Sequence, residues 1–175
     1  MAINEELYRY YFDELREWEE SINCQRPHDL LIYVLRFHLL AEHMFERIIK
    51  SALPRGDTLV SKARLSFSQK LAVVDALGII DKKVVVSLDR LNSLRNKCAH
   101  ERKLKVTLKQ IDPISEPFGE KLSTAKLDPD QDPNQPELNA AVLATTFFSV
   151  RIHKELMHIL LSLERPEPSR ADTRK

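Results

Sequence analysis

Glycine is scarce in this chain, with three in 175 residues. Two of them, Gly78 and Gly119, stand where helices end or loops run. So few glycines argue against a sheet built from tight hairpins and for helices joined by short turns. Cysteine is scarcer: Cys24 and Cys98 lack the paired spacing of a metal or redox motif. Both are expected to be reduced, buried small hydrophobes of a cytoplasmic protein. No apolar run approaches the ~20 residues that span a bilayer. The first residues, Met1-Ala2-Ile3-Asn4-Glu5-Glu6, are acidic and carry no signal-peptide core. Net charge is also nearly absent, at +1, so the surface as a whole is no general binder of polyanions.

What is present is ordinary in amount and uneven in distribution. Hydrophobic residues make up 43% and charged residues 30%, as in a globular protein long enough to bury a real core. The expectation is one all-α domain over residues 1–164, a compact bundle of about five helices, with a polar, disordered tail over 165–175. Between Arg90 and Lys105 stand six basic residues, Arg90, Arg95, Lys97, Arg102, Lys103 and Lys105, against Glu101 alone. That segment is strongly positive and the remainder of the chain mildly acidic. Such a patch can steer one phosphate-bearing ligand to one place, or it can be a solvated helix end whose cations offset the helix dipole.

Helical periodicity sets the elements. Asn4 is an N-cap before Leu7, Tyr11, Leu15, Trp18 and Ile22, giving a first helix over about 4–22. Pro27 suits a helix start, and Leu30, Val34, Phe37, Ala41, Met44 and Ile48 form the stripe of a second, over about 28–52. Leu53-Pro54-Arg55-Gly56-Asp57 breaks it. Ser66 with Gln69 makes a capping box for a short third helix ending at Gly78. Asp81 caps a fourth, with Val84, Val85, Leu88, Leu91, Leu94 and Cys98 on its apolar face. Over about 105–136 the pattern collapses: Pro113, Pro117, Pro129, Pro133 and Pro136 predict a long irregular excursion, of the kind that is a functional lid or a disordered insertion. A last helix over about 137–164 carries Ala141, Thr145, Phe148, Ile152, Leu156, Ile159 and Leu163 on one face.

The fourth helix holds the unusual chemistry. At about 100° per residue from Val84, Leu88 lies near 40°, Leu91 near 340°, Cys98 near 320° and Arg95 near 20°. A guanidinium thus stands in the middle of an apolar stripe, where it must find acceptors. It can be a phosphate ligand, or it can be half of a buried or interface salt bridge, or it can snorkel to solvent. His100 follows five residues later, about 140° around the helix and ~7.5 Å along it. The two side chains share a ligand only if the helix ends before His100 or if a second copy brings its own pair alongside.

The stretches Phe67-Ser68-Gln69-Lys70-Leu71, Ala76-Leu77-Gly78-Ile79-Ile80 and Leu91-Asn92-Ser93-Leu94-Arg95-Asn96-Lys97-Cys98-Ala99-His100-Glu101 together resemble the HEPN superfamily of helical domains, and most of all its mannitol-operon-repressor-like branch. The resemblance covers roughly residues 28–104, with the last helix as a further part, and Arg95, Asn96 and His100 match the family's motif. It implies a helical bundle that forms a homodimer with the two motifs facing across the two-fold axis. Many members are metal-independent endoribonucleases acting as toxins or in phage defence; others have lost catalysis and serve as regulators or scaffolds. It implies no cofactor and no metal. One departure concerns members silenced by nucleotidylation from a partner antitoxin, which carry a tyrosine two residues after the histidine; here that position is Arg102, so a neutralising partner of that class is not expected, although another regulatory protein partner is compatible with the family.

The chemistry suits those residue types. The 2′-hydroxyl of RNA can attack the adjacent phosphorus, with His100 moving the proton as base or acid. Arg95 would neutralise charge on the pentavalent phosphorus, and Asn96 would orient the histidine or a phosphate oxygen. Lys97, Arg102, Lys103 and Lys105 are the expected RNA-backbone contacts. Two readings from other classes stand beside this one: a catalytically silent regulator or scaffold, and a nucleotide-binding sensor. His38 and Glu42, one turn apart on an otherwise apolar flank of the second helix, are either a hydrogen-bonded structural pair or a support behind Arg95. Glu155 and His158 have the spacing of one half of a di-iron site, but no second Glu-x-x-His exists and no metal is expected.

Overall fold

The computed structural model describes residues 29–101, 105–126 and 131–164, and among them every regular element is helical. The expected first helix (4–22), the 165–175 tail, Cys24, Arg102 and Lys103 lie outside the described residues.

Asp29 opens α1 (Leu30–Ala52) by accepting the Leu31 N–H at 3.0 Å, which satisfies one of the orphan donors of the first turn. The stripe expected from periodicity is buried in full: Leu30, Val34, Phe37, Ala41, Met44 and Ile48. Phe45 and Ile49 are buried as well, so α1 is covered on more than one side. The break after it is shorter than expected. A further helix, α2 (Gly56–Ala63), follows at once, where the sequence predicts only a turn before Ser66. Gly56 is buried, and a Cβ there would overlap the Ile49 carbonyl oxygen, so only glycine lets the chain fold back this tightly on α1. α2 has no side-chain cap and packs on the core through half-buried Leu59 and Val60, too narrow a stripe to give a periodic signal.

The capping box forms as expected at α3 (Phe67–Ala76): the Gln69 N–H donates to Ser66 Oγ at 3.4 Å and Gln69 Oε1 accepts the Ser66 N–H at 2.9 Å. Gly78, in the left-handed region at φ 69°, ends that turn. Asp81 accepts the Lys83 N–H at 2.7 Å and starts α4 (Lys82–His100). Val84, Leu88, Leu91 and Leu94 are buried. Cys98 is half-buried rather than buried, and its partial desolvation pushes the thiol above its ordinary range.

The expected irregular excursion over 105–136 is the largest correction to the fold. It contains α5 (Leu108–Ser115), a 3₁₀ turn at Glu116–Phe118 and another at Leu122–Thr124. α5 carries Pro113 inside it, and reading each proline as a break hid the Ile111/Ile114 pair that packs this helix on the core. The segment is tied down by buried polar groups. Ser87 Oγ on α4 donates to the Ile114 carbonyl at 2.7 Å, Asp112 accepts the Ser123 N–H at 2.8 Å and the Ser123 hydroxyl, and Ser115 Oγ donates to the Glu120 carbonyl at 2.9 Å.

The last helix is continuous but not uniform. α6 (Pro136–Phe147) and α7 (Lys154–Leu163) are joined by a π turn, Phe148–His153. The π turn brings Phe148 onto Phe37 of α1, ring centroids 4.5 Å apart. One apolar cluster draws on α1, α3, α4, α5, α6, the π turn and α7. His153 is buried in the π turn, and desolvation lowers its pKa to about 4.

That burial has a sign. The folded ring is neutral, and an unfolded histidine titrates at its ordinary 6.5. Below that value the unfolded state binds more protons, so stability falls as pH drops from 6.5 towards 4 and by no more below it. The loss attributable to this ring is about 3 kcal/mol at the acid end. His153→Leu is therefore expected to gain on wild type by up to that amount between about pH 7.5 and pH 4, measured by urea midpoints; a gap that stays constant across that range would show the ring is not buried in neutral form.

Candidate functional site

α4 positions the motif. Its last buried residue is Leu94, and Arg95, Asn96, Lys97 and His100 are exposed on the turns beyond. The sequence places Arg95 at a core position; the structure does not. A stripe angle faces the core only where neighbouring helices cover it, and at Arg95 the same side of α4 meets solvent. The Arg95 Nη1 donates to Asn96 Oδ1 at 3.3 Å. Helical hydrogen bonding persists through His100, and the Glu101 N–H caps back to the Lys97 carbonyl at 3.0 Å. The five-residue offset from Arg95 to His100 therefore keeps its ~7.5 Å rise and about 140° turn, and one chain does not bring the two side chains to one point.

Behind this surface runs a seam of buried polar groups. His38 on α1 is 5% exposed. Its ring stacks on Phe67 of α3 with centroids 4.0 Å apart, and its Nε2 meets Asn92 Oδ1 of α4 at 3.0 Å. Asn92 Nδ2 donates to Ser68 Oγ at 3.0 Å; with the amide so oriented, Nε2 carries the proton and donates. Burial lowers the His38 pKa, the Asn92 hydrogen bond and the Glu42 charge oppose that, and the Arg95 charge adds to it. His38 thus stands electrostatically between Glu42 and Arg95, yet its hydrogen-bond partner is neither.

Of the two expectations for His38 and Glu42, the hydrogen-bonded pair does not form; each side chain has its partner on another helix. Glu42 Oε1 accepts from Lys70 Nζ at 2.8 Å, and Glu46 Oε1 from the same nitrogen at 2.6 Å. The Lys70 side chain is 8% exposed. Burial draws its pKa down, but the hydrogen bonds and charges of the two glutamates outweigh that and raise it. The Glu42 carboxylate is therefore committed to α3.

The basic residues divide. Arg90 donates to the Pro113 carbonyl and to Glu116 at 3.0 Å, binding α4 to α5. Lys105 pairs with Glu137 at 3.1 Å, but both side chains are mostly exposed, and an exposed pair of this kind is worth at most ~1 kcal/mol. Lys97 is exposed beside Asn96. Glu155 and His158 gain no further ligand: among the described residues no three of His, Cys, Asp or Glu are grouped to hold a metal. No described helix is long and apolar enough to cross a membrane.

Sequence reasoning singled out neither Asn92, Ser68 nor Lys70 for chemistry. A signal existed for Asn92, which lies one turn before Asn96 on the same ridge of α4. Lys70 is the cheapest to test. Its removal leaves two half-buried carboxylates facing one another, and screening by the nearby solvent moderates the cost. Lys70→Ala is expected to lose about 2 kcal/mol by urea denaturation, and Lys70→Arg to lose much less. A Lys70→Ala protein as stable as wild type would remove the seam as a structural element.

Comparison of the chain with protein-family models, with curated proteins and with solved structures found no match.

Proposed function

We propose that this protein is a metal-independent endoribonuclease of HEPN type, working as a homodimer, with Arg95, Asn96 and His100 as its reacting groups and with a bacterial toxin or phage-defence role. The observation that supports this reading is the exposure of those three side chains together on the last turns of α4. A guanidinium, a carboxamide and an imidazole are there presented to solvent, with Lys97 beside them and Lys105 close in sequence.

The reaction needs no nucleophile from the protein. The 2′-hydroxyl attacks the adjacent phosphorus, its proton passes to an imidazole, the P–O5′ bond breaks, and the departing oxygen receives a proton from an imidazolium. Arg95 stabilises the charge gathered on the phosphoryl oxygens in the transition state. A two-fold arrangement answers the divergence of Arg95 and His100 within one helix, because an isologous contact sets one copy's histidine beside the other's arginine.

The test is cleavage of single-stranded RNA by purified protein in excess chelator. Products ending in 2′,3′-cyclic phosphate are expected, with DNA of the same sequence left intact. Arg95→Ala is expected to slow the reaction ~10²–10³-fold and His100→Ala ~10²–10⁴-fold, with little change in melting temperature because both are exposed. Lys97→Ala and Lys105→Ala should weaken RNA binding in a salt-dependent manner and spare the chemical step. Cutting of DNA as readily as RNA would exclude attack by the 2′-hydroxyl. A wild-type protein inert on every RNA tested would favour a regulator or scaffold that keeps the fold without the chemistry.

A further inference from the structure

Other helices pack against α1 on several sides, but one of its faces carries an apolar side chain out into solvent. That face centres on Leu39, whose 62% exposure is the highest of any large apolar side chain among the described residues. At about 100° per residue, Ile32, His43 and Lys50 lie within about 40° of Leu39, with Arg36 and Arg47 beside them on one flank and Leu35 on the other. His43 and Lys50 are exposed, and Ile32, Leu35, Arg36 and Arg47 are half-buried. The face is thus apolar along its middle and basic along one edge and at its C-terminal end.

Residues 1–28 lie outside the described residues and lead directly into the start of α1. Seven acidic side chains stand between Glu5 and Glu20 against Arg9 and Arg16, so this segment is strongly negative where the edge of α1 is positive. The stripe Leu7, Tyr11, Leu15, Trp18 and Ile22 is an apolar face that needs a cover. As a helix, 4–22 would be about 28 Å long, against about 34 Å for α1. Residues 23–28 are enough to turn the chain between two antiparallel helices.

Length, charge and polarity therefore match. We propose that the 4–22 segment folds back antiparallel onto this face of α1, setting Leu15 over Leu39 and Trp18 over Leu35, with its carboxylates along Arg36, Arg47 and Lys50. A second copy of the chain carries the same segment, but the tether decides between them. Joined to α1 by a short turn, the chain's own segment meets this face at an effective concentration on the order of millimolar. The proposal is independent of the ribonuclease reading.

Trp18 is the single tryptophan, which makes the full-length protein its own probe. In wild type its emission should be blue-shifted, and acrylamide should quench it several-fold less than free N-acetyltryptophanamide. Leu39→Asp should raise that quenching towards the free value and lower Tm by about 2–4 °C. Leu39→Ser gives the same direction should the aspartate variant fail to fold. A short bismaleimide then reads the geometry in a Cys24→Ser, Cys98→Ser background. Leu15→Cys combined with Leu39→Cys should cross-link within one chain, and faster than Leu15→Cys combined with Val86→Cys, whose second site is exposed on α4. A wild-type Trp18 as open to acrylamide as the free fluorophore would overturn the proposal. So would cross-linking only between chains, which assigns the face to a second copy, or cross-linking no faster than that of the Val86 pair.

Discussion

α1 is packed against by α2, α3, α4, α6 and α7, and the burial of that helix on several sides constrains everything else. Such a helix is apolar over most of its surface, and among its polar residues His38, Glu42 and Glu46, one turn apart, lie against α3 and α4; each requires a partner because an unsatisfied polar group inside a protein costs more than a hydrogen bond returns. Asn92 answers the first and Lys70 the other two. These contacts, with Phe67 stacked on His38, leave α3 and α4 little freedom to slide or rotate against α1. The register of α4 is thereby set, and with it the direction in which Arg95, Asn96 and His100 leave the bundle.

The candidate site depends on that seam more than on its own surroundings. Arg95 has one neighbouring side chain as a hydrogen-bond partner, Asn96, at 3.3 Å, and His100 stands on the last turn of a helix that continues past its cover. Exposed groups of this kind are held in place by backbone rather than by contacts, so their geometry is only as good as the anchoring of α4 further back. Leu88, Leu91 and Leu94 supply the apolar part of that anchor, Asn92 the polar part, and Arg90 fastens the opposite flank to α5. The same arrangement leaves Arg95, Asn96, Lys97 and His100 at the end of α4 exposed.

Much of this was determined by sequence alone. The stripes on α1, α4 and the last helix are buried almost residue for residue, because a period of 3.6 with large apolar side chains has few other ways to hide from water. The caps at Ser66 and Asp81 formed because their oxygens meet orphan N–H groups within three residues, a contact that needs nothing from the rest of the chain. The motif residues Arg95, Asn96 and His100 were visible for the same reason, being close together on one helix.

Tertiary structure alone decided what depends on a neighbour. α2 was missed because its apolar face is two residues wide, and α5 because Pro113 reads as an end when the packing of Ile111 and Ile114 holds the helix together around it. Arg95 was placed in the core by its angle, yet no angle tells where the covering helices stop. The spacing of His38 and Glu42 on one helix allows a pair or a support behind Arg95, and the structure gives each to a different element, α4 and α3, since side-chain hydrogen bonds go to whatever partner packing brings within 3 Å. Asn92, 54 positions from His38 in the chain, carries no local mark of its role. Sequence periodicity determines which face of each helix is buried; only the assembled bundle decides which polar groups meet across those faces.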